Sequence, residues 1–472
     1  MEQQQYVDQE DDNGLLLFPP HLSDSLSNLR IHDCEKLILA LVTEHEEETG
    51  RHGLQALRSL QSLEIIRCSK FLSAYKSSSS FGFPPFLEDL YIGDHGIFEM
   101  LSRTVLFIQG GDSTWEDMWP LLTQDQLDLT VLAESNFFCR FGGLQEEQLL
   151  LLKRSLKVWK LCTYDILGFL VKPICNLLFS SLTTLYFVAD EVVEHFIEEQ
   201  EEALQLLTSL QYLQFYSCEK LQCLPTQLRR LTNLKKLKIW YCPSIPSLPK
   251  DGLPSSLEQL KVSDCKKLQC LPAELHTLTN LEILKIRDCP SIRSLPKGGL
   301  PSSLEQLKVS DCKKLQCLPA ELHTLTNLKK LEIKNCPSIG SGLLKDDLPS
   351  SLEELEIIYW KKLQCLPAEL HTLTNLKKLN IEDCPLIRSL SKGRLPSSLE
   401  KLKVINCKKL WCLPAELHTL TNLKKLKICD CPSIRSLPKA VQQANGNHPK
   451  YHTRIFLVTK GIVLDLYIHL AL

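Results

Sequence analysis

Twenty cysteines and thirteen histidines in a chain of 472 residues would suffice for metal or thiol chemistry, so their spacing decides whether either is available. Eleven cysteines (34, 68, 218, 242, 265, 289, 312, 336, 384, 407 and 431) recur in one short pattern, and five more (223, 270, 317, 365 and 412) stand directly before Leu-Pro. Zinc needs four ligands converging to about 2.3 Å of one point, which thiols dealt out one per repeating unit cannot provide. His276, His323, His371 and His418 recur at intervals of 47 or 48 residues. Two units of a stacked array lie roughly 10 Å apart, too far to share an ion, so these imidazoles read as exposed positions copied by duplication. The acidic start MEQQQYVDQEDDNG lacks the basic-then-apolar order of a signal peptide, which points to a reducing interior and to free thiols rather than disulfides. A small thiol turned inward can give its S–H to a loop carbonyl and remain inert. No GxxxxGK[ST], HExxH or GxSxG stretch occurs, so neither nucleotide binding, a cofactor nor catalysis is expected.

The elements that carry these residues come from one stretch, Leu253 to Gly299, which returns almost verbatim from Leu300, Leu348 and Leu395. It is itself double. Leu257, Leu260, Val262, Cys265 and Leu268 fit LxxLxLxxCxxL, and Leu281, Leu284, Ile286, Cys289 and Ile292 fit it again, which makes a unit of 23 or 24 residues. The apolar alternation at 260 and 262 predicts a short strand, with Leu257 entering from the turn before it. Pro272 opens AELHTLTN, whose leucines at steps of three predict one turn of helix or 3₁₀ with proline at its first position. The alternate unit has CPSIRSLPKGGLPSS instead, which is extended or turn chemistry. Eight or so inward apolar side chains at roughly 1.5–3 kcal/mol each cannot offset ordering costs of about 1–2 kcal/mol per residue in an isolated unit. Units must therefore stack. Period and consensus predict an α/β leucine-rich-repeat solenoid of about 15–16 repeats, with a curved parallel β-sheet on the concave face and short helices and turns on the convex face.

Four regions follow: an acidic segment and partial coil over 1–24, irregular repeats over 25–209, regular repeats in 47-residue pairs over 210–440, and a tail or irregular C-terminal cap over 441–472. The pattern blurs between Phe98 and Leu152, with a strand expected near Leu127 and Leu129, and an acidic helical run is expected from Glu191 to Glu202. The last eighteen residues, IFLVTKGIVLDLYIHLAL, are apolar, but Lys460, Asp465 and His469 interrupt them, so no membrane association is expected. Net charge is −2, yet residues 1–233 hold 17 Lys+Arg against 34 Asp+Glu while residues 234–440 hold 34 against 21. That asymmetry favours an acidic partner for the C-terminal half.

The strand positions that cannot face the core are the remaining place for function. One column reads Lys238, Lys261, Lys285, Lys308, Glu332, Glu356, Asn380, Lys403 and Lys427; its neighbour begins Trp240, Ser263, Arg287, Ser310. Tyr212, Tyr216, Trp240 and Tyr241 fall on two adjacent strands beside them. Aromatic and basic residues exposed together are typical of interface hot spots, so Tyr212, Tyr216, Trp240, Tyr241, Lys261, Lys285, Arg287 and Lys308 form the expected partner-binding set.

Taken with LxxLxIxxCxxLxxLPxxLxxLxxL, the Leu-Pro-Ser-Ser-Leu before alternate strands, and the NCPSI and DCPSI after them, residues 25–440 resemble the C-terminal leucine-rich-repeat region of plant intracellular nucleotide-binding disease-resistance proteins. The Gly-x-Ile-Pro step of extracellular plant repeats is missing. The resemblance implies a cytoplasmic, non-catalytic recognition module of plant innate immunity. Its partner would be a pathogen effector, a guarded host protein or a nucleotide-binding domain. No coiled coil or phosphate loop precedes Ser25, so nucleotide switching does not carry over to this chain. A substrate receptor of a ubiquitin ligase would use the same face but needs an adaptor-binding motif that the first 24 residues do not supply, and a non-functional receptor fragment is a further alternative. No nucleic acid partner is expected; steep salt dependence on polynucleotide would be its signature.

Overall fold

The computed structural model describes residues 158–249, 252–296, 298–319, 321–340, 348–390 and 394–411 continuously and most of 413–434. Towards the ends it describes most of 24–34, residues 57–66, and strands at 89–93, 105–108, 129–133, 452–459 and 462–469. The chain is a leucine-rich-repeat solenoid in two compact units, Met1–Val188 with Glu198–Leu210, and Ala189–Ile197 with Gln211–Leu472.

The first unit holds β1 (Asn28–His32), β2 (Ser62–Ile66), β3 (Asp89–Gly93), β4 (Val105–Ile108), β5 (Leu129–Ala133), β6 (Val158–Thr163) and β7 (Thr184–Val188), each parallel to the next. β5 matches the strand expected near Leu129. β4 has no counterpart in the repeat pattern. Pairing is weakest here: β3 meets β4 only at Tyr91 and Val105, and the β5–β6 register shifts between Leu129 and Thr130. Short helices at Ile166–Phe169 and Lys172–Leu178 follow β6. Asp165 caps the first by accepting from the Gly168 amide at 2.8 Å, and Pro173 stands in the first turn of the second. The acidic helix is shorter than expected, Glu198–Gln205. Upstream, the Asp190 carboxylate accepts from the amides of Val192 and Val193 at 2.9 and 2.8 Å, a local turn that competes with helix.

The second unit is the regular one. Its strands are β8 (Tyr212–Tyr216), β9 (Lys236–Trp240), β10 (Gln259–Ser263), β11 (Ile283–Arg287), β12 (Gln306–Ser310), β13 (Lys330–Lys334), β14 (Glu354–Ile358), β15 (Lys378–Glu382), β16 (Lys401–Ile405) and β17 (Lys425–Cys429). All pair in parallel with no register shift, so Leu237, Leu260, Leu284 and Leu307 form one column. In the apolar tail, β18 (His452–Thr459) continues parallel to β17, and β19 (Ile462–His469) turns back antiparallel to β18.

The consensus letters have identifiable tasks. Leu257, Leu260, Val262, Cys265 and Leu268 are buried to within 1% of complete. In Leu-Pro-Ser-Ser-Leu the second serine reaches the preceding coil, with Ser256 Oγ donating to the Leu234 carbonyl at 2.8 Å. The carbonyl of the first serine, Ser255, accepts from Nδ2 of Asn280 in the next coil at 2.9 Å. The same two bonds recur at Ser303–Leu281 and Asn327–Ser302, and at Ser351–Leu328 and Asn375–Ser350. Serine and asparagine therefore satisfy carbonyls that the turns leave without strand partners. The 3₁₀ turns lie at Leu275–Thr277 and Leu322–Thr324. Pro272 precedes the first of these rather than occupying its first position, because Glu274 is the cap. At the cysteine position of β14's coil stands Trp360, 1% exposed, whose Nε1 donates to the Ile339 carbonyl at 3.2 Å.

Candidate protein-binding surface

Each of β9 to β12 buries its second and fourth residues and leaves the first, third and fifth on the open face of the sheet. The unshifted register places Lys238, Lys261, Lys285 and Lys308 directly side by side on β9 to β12, at about 4.8 Å per strand. Lys238 lies between two rings: its Nζ is 5.0 Å from the Tyr212 centroid and 5.1 Å from that of Trp240. The Tyr212 hydroxyl is anchored by donating to Gln214 Oε1 at 2.6 Å. Beside them Tyr216 and Tyr241 meet edge to face, centroids 5.6 Å apart at 74°. Arg287 shares β11 with Lys285, two residues further along the same face.

All eight residues expected at the surface thus lie on or at the ends of β8 to β12, and Lys238, which was in the lysine column but outside that set, sits at the centre of the aromatic group. Tyr241 departs from the expectation that it is a strand residue. It lies past the end of β9 with φ 53°, its amide donating to the Ser263 carbonyl at 3.1 Å. From Ala189 to Asp430 one residue per coil adopts this left-handed conformation to end its strand, and most of them are Asp or Asn, which tolerate it. Tyr241 and Tyr359 are the aromatic exceptions, 49% and 46% exposed. Tyr359 and Trp411, the latter 61% exposed, went unmarked in sequence because each differs from its repeat mates only by a single letter.

The electrostatics divide the face in two. Among the described residues, Lys238, Lys261 and Lys285 have no carboxylate within salt-bridge distance, and Lys308 is 3.6 Å from Glu332. Partial burial lowers the proton affinity of all three, and neighbouring lysines add to the effect; Lys261 is pushed down to about 8. Over β13 to β15 the charges are largely matched from within, whereas on β16 and β17 Lys401 stands beside Lys425 and Lys403 beside Lys427. Lys330 bonds Glu356 at 2.6 Å and Glu354 at 2.9 Å, Lys378 bonds Glu354, and Lys403 bonds Glu382 at 2.5 Å. Lys330 is raised to about 12, the two glutamates outweighing its burial. Beyond the fifth position runs an acidic column, Asp264, Asp288 and Asp311, where burial and then the neighbouring Asp264 raise Asp288.

The thiols are placed mostly as the spacing implies. Cys218, Cys242, Cys265, Cys289, Cys312, Cys336, Cys384, Cys407 and Cys431 are buried, and Cys265 Sγ donates to the Ser263 carbonyl at 3.4 Å. Hydrogen bonding between stacked thiols, together with burial, pushes Cys242, Cys289 and Cys312 up, and burial pushes Cys384 up to about 12. Cys34 departs from its column and is exposed. Cys270 and Cys317, before Leu-Pro, are exposed as well, while Cys223 and Cys365 are half-buried; Cys68 and Cys412 lie outside the described residues. His276, His323 and His371 are exposed on the 3₁₀ side, and His418 is outside the described residues. Among the described residues no group of three or more His, Cys, Asp and Glu could hold a metal ion, and no helix is long and apolar enough to cross a membrane.

No protein-family model matches the chain, and no curated protein matches it by sequence. Solved structures that resemble it are leucine-rich-repeat proteins or receptors. The leucine-rich repeat domain of the type III effector XopL is 21% identical with a TM-score of 0.30, over 58% of this chain and 75% of that one. A chain of the Drosophila Toll–Spatzle complex is 14% identical with a TM-score of 0.46, over 84% and 58%. The plant peptide hormone receptor RGFR1, solved with RGF2, is 16% identical with a TM-score of 0.23, over 80% and 78%. These likenesses concern the fold alone.

Proposed function

We propose that the chain is a non-catalytic protein-recognition module whose partner seats on the open face of β8 to β12, and that it serves plant innate immunity inside the cell. The observation that carries the recognition reading is the aromatic and cationic cluster of Tyr212, Trp240 and Lys238 beside Tyr216 and Tyr241. Such rings on an exposed sheet add nothing to a core that the leucines already fill, whereas aromatic and cationic side chains at the centre of an interface commonly dominate its affinity. The immune assignment rests on the motif resemblance across residues 25–440. A pathogen effector, a guarded host protein or a nucleotide-binding domain is the corresponding partner.

The test is comparative capture from plant leaf extract with the wild-type chain, Trp240→Ala and His323→Ala, quantified by mass spectrometry. A specific partner is expected to be retained by the wild type and by His323→Ala, whose imidazole lies on the 3₁₀ side. Trp240→Ala should bind it about 30-fold more weakly, the equivalent of about 2 kcal/mol. Equal capture by all three proteins, or greater damage from His323→Ala, refutes the surface.

A further inference from the structure

The row Lys238, Lys261, Lys285 and Lys308 is costly to the fold. Register brings each lysine directly against the next, and like charges opposite one another destabilise a sheet. The same protein shows the alternative a few coils on, where Lys330, Glu354, Glu356, Lys378, Glu382 and Lys403 interleave their signs. The open face is thus largely neutralised from within over β13 to β15, while Lys238, Lys261 and Lys285, among the described residues, have no carboxylate within salt-bridge distance and follow one another at a steady pitch. Folding alone does not ask for this; an anionic ligand would.

The dimensions select the kind of anion. β9 to β12 span three strand steps, about 14 Å, the length of four or five residues of extended chain, whose alternate side chains point the same way. On one side the row is bordered by Lys236, Gln259, Ile283 and Gln306 and on the other by Trp240, Ser263, Arg287 and Ser310, of which the glutamines and serines can hydrogen-bond a backbone. The acidic column Asp264, Asp288 and Asp311 then follows. A nucleic-acid duplex, with phosphates on both flanks, would meet those carboxylates, whereas a single polypeptide strand with its acids over the lysines stays clear of them. The ends also differ: the Tyr212 and Trp240 rings stand at one, and the sign inverts at Glu332 and Glu356 at the other.

We infer that this row is the track of an extended acidic polypeptide segment lying across the strands, with an apolar or aromatic side chain against Tyr212 and Trp240 and two or three Asp or Glu at alternate positions over Lys261, Lys285 and Lys308. The inference rests on the recognition reading above and names the class of partner. A carboxylate arriving over Lys261 would offset the neighbouring ammonium charges that lower its proton affinity in the free protein.

The probe is a fluorescein-labelled hexapeptide with one tryptophan followed by glutamates at alternate positions, titrated with the full chain by fluorescence polarisation. Its glutamine counterpart and an oligothymidylate of equal charge are the comparisons. The acidic peptide is expected to bind more tightly than either, and less tightly as salt rises from about 50 to 300 mM. Lys261→Gln/Lys285→Gln should weaken it about tenfold and Lys261→Glu/Lys285→Glu further, while Lys403→Gln leaves it unchanged. Misfolding is separated by melting curves, because both double variants relieve repulsion and should melt no lower than the wild type. Tighter binding of the oligothymidylate, equal binding of the glutamine peptide, or equal loss from Lys403→Gln overturns the inference. If a partner captured in a Trp240-dependent way is held equally by Lys261→Glu/Lys285→Glu, the acidic-ligand inference falls and the recognition reading stands. If Trp240→Ala leaves capture intact, it is the recognition reading that fails.

Discussion

Replacing Lys261 by glutamine should make the protein more stable, and more so at neutral than at alkaline pH. Burial, followed by the charges of Lys238, Lys285, Lys236 and Lys308, pushes the Lys261 ammonium from its usual 10.5 to about 8. In a site shut off from water that drop would represent about 3 kcal/mol of unfavourable charge. The side chain stands at the surface of the sheet, where solvent and counter-ions screen most of it, leaving about 1 kcal/mol. The sign follows from proton binding: the unfolded chain keeps this proton to about 10.5 and the folded chain releases it near 8. The penalty is therefore complete below pH 8 and fades as the pH climbs towards 10.5. Lys261→Gln should melt about 2 °C above the wild type near pH 6.5, and the advantage should fall to less than half near pH 9.5. Buried thiols destabilise the fold in the same alkaline range, since their protons are lost more readily on unfolding, but they are identical in both proteins and cancel in the difference. Circular dichroism melts at both pH values give the result directly. A variant that melts at or below the wild type near pH 6.5 would refute the account of crowded ammonium groups.

Two further outcomes test the core. With a thiol-reactive reagent and peptide mapping, Cys34, Cys270 and Cys317 should label in the native protein, while the nine buried repeat cysteines from Cys218 to Cys431 should label only on denaturation; comparable native rates for the two groups would contradict the inward column. Trp360→Ala should lose about 3–5 kcal/mol, because it empties a fully buried site and frees the Ile339 carbonyl. Urea unfolding of the second unit reads this, and a loss under about 1 kcal/mol would mean that the coil collapses around the gap.

The solenoid and most of its strands were legible in the sequence because period and side-chain type are the same information in a repeat. Once Leu257, Leu260 and Val262 fix which face is inward, every neighbouring copy must adopt the same register to bury its own leucines. The reading lost detail where copies diverge. β4 lacks the leucine spacing, and β18 and β19 occur in an apolar run with no repeat to compare. The composition of the open face was legible too, as columns of letters at every 23 or 24 residues. What those columns do was decided by tertiary structure. Lys238 and Lys403 look alike in sequence, yet one stacks between Tyr212 and Trp240 and the other bonds Glu382. A charge takes its meaning from neighbours one coil away, and only the stacked register determines which charges those are.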